Sequence, residues 1–238
     1  MVQLDFSIKV FCDQFDTLYI KPQGFVSFGS DTPARAFTSF CTQSTSLATL
    51  VAPLFARQDC SCSGSAVYFS TFSTFGTVNS FQQSIIDRAT SQVRQFGGAD
   101  AAAFMASQVI VVTWYNVLPY PCQYYQLYYN ITEGSTYQLI IASNLLKSYA
   151  IFIYEEVNVA PLIPQVFNGV KAPGTCVSNW NPKTVNDANI LNVVPASTGF
   201  PGLWFYKLFQ PTPCSPSPEN QCLNYVMSTV DLSVDIKL

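Results

Sequence analysis

Apolar and polar residues alternate from the start of the chain. Val2, Leu4, Phe6, Ile8, Val10 and Cys12 share one side, and Gln3, Asp5, Ser7 and Lys9 the other, which is the period of a half-buried strand. Leu18-Tyr19-Ile20 and Phe25-Val26-Ser27-Phe28 flank Lys21-Pro22-Gln23-Gly24, whose Pro and Gly predict a hairpin turn. A loop rich in Ser, Thr and Pro, residues 31–46, presents Cys41, and Leu50 to Phe55 resumes an apolar strand. Three runs then dominate the middle of the chain: Val109 to Asn116, Tyr137 to Ala142 and Tyr149 to Tyr154. Their β-branched and aromatic content favours strands, and they are short for helices. They predict a meander at the centre of the fold. Tyr124 to Ile131 reads as another strand, with Tyr125, Leu127, Tyr129 and Ile131 on one face and Tyr124, Gln126, Tyr128 and Asn130 on the other. Residues 158–201 lose periodicity and carry irregularly spaced prolines, so they predict long loops with short strands, and Leu203 to Phe209 is again a strand.

One segment departs from this pattern. Phe81, Ile85, Ala89 and Val93 recur every four residues with Ile86 beside them, while Gln82, Gln83, Asp87, Arg88, Gln92 and Arg94 fill the opposite face. That periodicity is helical. Ser80 and Gln83 have capping-box spacing, and Gly97-Gly98 supply a stop. The expectation is one amphipathic helix over residues 80–96, covering a sheet. Arg88 and Arg94 lie where a solvated face carries charge anyway. Beyond residue 209 a Pro- and Cys-rich linker, 210–222, precedes an alternating segment, 223–238, which is the last strand of this domain or the first of the next.

Charged residues make up 11% of the chain and aromatic ones 15%, against ~25% charged in ordinary soluble domains. This balance is that of a β-rich extracellular domain. With only 11 Lys and Arg, in no run that could track phosphates, no nucleic-acid partner is implied. Eight cysteines stand at Cys12, Cys41, Cys60, Cys62, Cys122, Cys176, Cys214 and Cys222. The chain has no histidine, and its closest cysteines are Cys60-Ser61-Cys62, a spacing unlike a zinc site. Disulfides are therefore expected at all eight, with a small Cys214 to Cys222 loop. The full connectivity stays open among on the order of a hundred pairings. Disulfides imply an oxidising compartment, and Asn130-Ile131-Thr132 is an N-glycosylation sequon that fits it. No leader pattern opens the chain, so it reads as a segment of a longer secreted protein or ectodomain. No apolar run reaches the ~20 residues that span a bilayer.

Catalytic chemistry finds no support. Without histidine, Ser-His-Asp and Cys-His arrangements are excluded. Glu155-Glu156 is the adjacent acidic pair, but neighbours on a strand point to opposite faces and cannot flank one bond. No glycine-rich phosphate loop precedes a helix, and no cofactor or metal site is expected. Tyr120, Tyr124 and Tyr128 form the candidate ligand face, because aromatic rings with polar tips suit protein or sugar contacts alike; ordinary cross-strand pairing would also explain them.

Several segments, in order, resemble the NIDO domain, the extracellular module of nidogen, alpha-tectorin and membrane mucins. Leu18-Tyr19-Ile20 with Gly24-Phe25-Val26-Ser27-Phe28-Gly29 is similar to its opening hairpin, and Val51-Ala52-Pro53-Leu54-Phe55 to its "APFW" strand. Val111-Val112-Thr113-Trp114-Tyr115-Asn116-Val117 matches its "VVTWYNV" segment, and Tyr149 to Tyr154 and Gly199 to Phe205 resemble later ones. The resemblance covers about residues 4–209. Phe55 stands where the family has Trp, Ala56-Arg57-Gln58 replace its acidic residues ahead of Asp59, and Pro121 to Ser135 looks like an insertion. It implies an extracellular, non-catalytic module, residues 1–209, that meets a matrix or cell-surface protein in cell-matrix adhesion or assembly. A glycan-binding domain using the tyrosine face is the alternative. The fold expected is mainly β, an antiparallel β-sandwich with the one helix covering a sheet.

Overall fold

The computed structural model describes residues 1–31, 41, 49–158, 166–172, 175–180 and 198–209. Its strands form two antiparallel sheets, as the alternation predicts. The first sheet runs in the order β1 (Val2–Val10), β2 (Asp13–Lys21), β3 (Phe25–Phe28), β4 (Thr49–Phe55), β10 (Phe167–Ala172), β11 (Thr175–Trp180). The second runs β12 (Leu203–Lys207), β9 (Ser148–Glu156), β8 (Ser135–Ser143), β7 (Gln108–Pro119). Both β6 (Ala66–Ser73) and the two-residue β5 (Gln58–Asp59) pair with β7. The three dominant apolar runs are thus adjacent strands, β7, β8 and β9, at the centre of the second sheet.

Side chains from the two inner faces meet in one core. Ile8, Val10, Leu18 and Val26 from the first sheet pack with Ile110, Val112, Leu139 and Phe152 from the second, every one of them buried. Three aromatic residues of the second sheet also carry polar tips into this core, where each needs a partner. Trp114 Nε1 donates to the Lys21 carbonyl at 2.9 Å, Tyr137 Oη to Gln58 Oε1 at 2.5 Å and Tyr154 Oη to the Pro53 carbonyl at 2.5 Å. The acceptors on β2 and β4 belong to the first sheet, so these bonds fix how the two layers face each other. Trp114 and Tyr137 stack with centroids 5.1 Å apart, and burial pushes the Tyr137 and Tyr154 hydroxyls well above the usual phenol range. Gly24, at φ +80°, makes this contact possible, because a β-carbon there would lie 2.0 Å from the Leu54 carbonyl oxygen and 2.4 Å from Tyr137 Oη.

The helix α1 (Ser80–Phe96) lies on the outer face of the second sheet, burying Ile86, Ala89 and Val93 against Val109, Ala142, Tyr149 and Ile151. Its capping box is one residue earlier than its spacing predicts: Asn79 Oδ1 accepts from the Gln82 N–H, and the Gln82 side chain accepts from the Asn79 N–H. Asn and Ser are near-equal caps, and the sequence offers both, one residue apart. A short 3₁₀ turn, Gly98–Ala101, follows.

A second helix, α2 (Cys122–Tyr129), stands where alternation predicts a strand. Tyrosine-rich segments have strand propensity, but tertiary ties decide such short runs. The Leu203 to Phe209 strand is found as Leu203–Lys207. The expected 210–222 linker, the 223–238 strand, and Cys214 and Cys222 lie outside the described residues.

Candidate functional site

At its far end β7 pairs with β5, Leu118 opposite Asp59 and Pro119 opposite Gln58. The chain then turns at Tyr120-Pro121, a cis peptide bond, into α2. Pro121 is the N-cap and offers no side-chain acceptor. The Asp59 carboxylate takes that part, accepting from the Cys122 N–H at 3.3 Å and from the Ser61 N–H at 2.9 Å. An anion there also opposes the partial positive charge of the helix N-terminus. Burial pushes the Asp59 carboxyl up, but the hydrogen bonds from Ser61 and Cys122 outweigh it and hold it below the usual value. A disulfide, Cys62–Cys122, bolts the same turn of helix to the loop after β5. Arg57 completes the mount: its carbonyl accepts from the Tyr120 N–H at 3.0 Å, and its guanidinium lies 4.9 Å from the centre of the Tyr120 ring.

The far end of α2 stops at Asn130, whose φ of 51° is left-handed and whose N–H bonds to the Tyr125 carbonyl. Asparagine tolerates that conformation better than most residues. Between these ends Tyr125 turns inward and is buried with the core, whereas Tyr124, Leu127, Tyr128 and Tyr129 face outward with Tyr120 beside them. Tyr124 and Tyr128, one helical turn apart, have ring centres 4.8 Å apart, and Tyr129 lies 5.9 Å from Tyr124. A hydrogen bond with Tyr129, reinforced by its charge, raises the Tyr124 hydroxyl above the ordinary phenol value. The surface offers aromatic faces and phenol hydroxyls, which stack and hydrogen-bond.

The three tyrosines of the expected ligand face are exposed, but on a helix and the turn before it rather than on a strand. Their company is larger than alternation indicates: Leu127 is 75% exposed, the most of any apolar residue on α2, and Tyr129 joins the rings. Leu127 and Tyr129 would have been assigned to the opposite, strand-like face. The missed signal is the i, i+4 pairing of Tyr124 with Tyr128 and Tyr125 with Tyr129 immediately after Pro121, which is helical spacing. Asn130 is exposed at the helix end, next to this surface. Glu155 and Glu156 are exposed at the end of β9, with Glu156 accepting from Asn158 Nδ2 at 2.8 Å. Among the described residues no group of three His, Cys, Asp or Glu side chains could hold a metal ion.

The cysteines divide differently from the expectation of complete pairing. Cys41 is bonded to Cys176 and Cys62 to Cys122, Cys12 is disulfide-bonded, and Cys60 carries a free thiol. The reason is local. Cys60 is the middle residue of the turn that Asp59 closes on the Ser61 N–H, whereas Cys62, just after it, is buried beside Leu118 and Cys122.

Comparison with known proteins follows the same lines. The family profile described as "Nidogen-like domain" matches residues 16–173. The protein "Nidogen" of Drosophila melanogaster is 30% identical over 156 residues, which is 66% of this chain and 10% of that protein. The chain thus spans about a tenth of that relative's length. No solved structure matches it.

Proposed function

The chain belongs to the nidogen-like domain family, and from that membership we propose that it is a non-catalytic extracellular module making protein–protein contacts in matrix adhesion or assembly. The family is one of structural, non-catalytic modules, and its kinship with nidogen points to an extracellular, matrix-associated setting. The chain acts as part of a longer protein. We read residues 1–209 as the domain: β1 and β12, outside the matched 16–173, hydrogen-bond to β2 and β9 within it.

The observation that carries the reading is the aromatic surface of α2. Tyr120, Tyr124, Leu127, Tyr128 and Tyr129 are exposed together, on a helix and the turn before it, held by a disulfide, a carboxylate and a cation–π contact. Tyrosines held rigidly lose little conformational entropy on contact, which is why they recur among binding hot spots. A second reading, glycan binding, rests on the same rings, since a sugar stacks on a tyrosine face. Asn130, at the edge of the surface, is the proposed glycan acceptor.

The test is to secrete residues 1–238 from a eukaryotic cell and measure binding to arrays of matrix proteins and of glycans. Saturable binding to a protein, lost in the Tyr124→Ser, Tyr128→Ser double variant at unchanged melting temperature, is the expected result. A glycan hit with the same sensitivity selects the second reading. Binding that survives the double variant removes α2 from the function.

A further inference from the structure

The outer face of the second sheet is only partly covered by α1. On one side of the helix Ile86 and Val93 are buried. On the other a cavity of about 220 Å³ remains between helix and sheet. On the sheet side it is lined by Val109 and Val111 of β7, Ile140 of β8 and Ile153 of β9, with Ser70 and Phe72 of β6 and Gln138 of β8, and on the helix side by Ile85 and Ala89 of α1. Val111, Ile140 and Ile153 stay half-buried there although they lie on central strands. Ala89, the smallest side chain of the helix seam, is among the residues that line the space.

The helix side of the cavity also carries polar side chains. Arg88 and Gln92, one turn apart on α1, both line it. Arg88 is exposed and has no acidic partner among the described residues. The Gln92 amide oxygen is shielded from solvent and has no hydrogen-bond partner. Such a group is costly to leave unmatched, and rotation about the last side-chain bond would present its N–H₂ at the same place. A guanidinium without an acidic partner among the described residues and an amide oxygen without a hydrogen-bond partner thus line the same cavity as the aliphatic side chains of the sheet.

We propose that this cavity is a binding site for a small amphipathic carboxylate, its apolar body on Val111, Ile140 and Ile153 and its carboxylate on Arg88 and Gln92. Guanidinium and amide N–H groups recognise a carboxylate by charge-assisted hydrogen bonds. The size fits, since an apolar cavity of roughly 150 Å³ admits a benzene ring and this one is larger by the space of a headgroup. The site shares no residue with the tyrosine surface of α2.

Octanoate is the probe, titrated by calorimetry into the secreted, disulfide-closed chain, with 1-octanol as the uncharged control. Saturable octanoate binding is expected, about tenfold weaker to the exposed-site variant Arg88→Gln, as for loss of one charge-assisted contact. Ala89→Leu, which fills the cavity, should abolish it, and the Tyr124→Ser, Tyr128→Ser double variant should bind as the parent does. No saturable binding to the folded parent chain overturns the proposal. So does equal affinity for octanol, or for the Arg88→Gln variant.

Discussion

Replacing Gly24 by alanine tests the inter-sheet contact at its tightest point. Gly24 sits at φ +80° between β2 and β3, and left-handed backbone costs a residue with a β-carbon about 1–2 kcal/mol. The added carbon would also fall 2.0 Å from the Leu54 carbonyl oxygen and 2.4 Å from Tyr137 Oη. Neither neighbour can yield cheaply. Leu54 donates its N–H to the Gly24 carbonyl at 3.3 Å, and Tyr137 is buried, stacked on Trp114 and hydrogen-bonded to Gln58. Relieving the clash disrupts the Leu54 bond or the Tyr137 bond, each worth about 1 kcal/mol net and more if a buried partner is stranded. The expected loss is about 3 kcal/mol or more, which in a chain of this size lowers the melting temperature by roughly 6–12 °C. Gly76→Ala is the control, because Gly76 has φ +81° but nothing within 4 Å of an added carbon. It carries the conformational cost without the collision. Thermal unfolding followed by circular dichroism separates the two; if Gly24→Ala melts no lower than Gly76→Ala, the close approach of β4 and Tyr137 does not hold the sheets together.

Two further predictions concern the mount of α2. Replacing Cys62 and Cys122 by serine opens a bridge between residues 60 apart in sequence, for which chain entropy gives about 4 kcal/mol; loss of the tyrosine-dependent binding together with a lower melting temperature is expected, and unchanged values in both would contradict the anchoring role. The Asp59 carboxyl is held below its unfolded value of about 3.9 by Ser61 and Cys122 against the opposing effect of burial. Its stabilising contribution is therefore present above that value and lost as pH falls through the folded one. Melting temperatures of the parent chain measured from pH 6 down to 3 should fall more steeply than those of Asp59→Asn, and parallel curves would remove Asp59 from the acid response.

Much of the sandwich was legible because its strands carry their packing in their own spacing. Val2 to Val10 alternates, and its burial alternates with it; the helix seam of Ile86, Ala89 and Val93 is visible at its period. α2 was not legible, since Cys122 to Tyr129 alternates acceptably as a strand, and what makes it a helix comes from Asp59 and Cys62, about sixty residues away. The free Cys60 was hidden for a related reason: an even cysteine count says nothing of which sulfur faces the core. The three tyrosines could be selected as exposed ring-bearing residues, but Leu127 and Tyr129 join them only through helical geometry. The cavity beside α1 left a trace only in Ala89, whose smallness has no consequence until a helix is laid on a sheet.

The strands on either side of α2 remain next to each other, Val117 opposite Ser135 on the same ladder. The intervening residues therefore leave and rejoin the sheet at nearly one place, as a short hairpin turn would. Lengthening such an excursion costs little chain entropy, since closure grows only with the logarithm of loop length. The sandwich can keep its strand order and core while the excursion is exchanged for another of different length and surface. If α2 is the recognition surface, as proposed, recognition is a replaceable part: rewriting some fifteen residues and their anchors would change the partner, and the framework beneath need not learn to fold again.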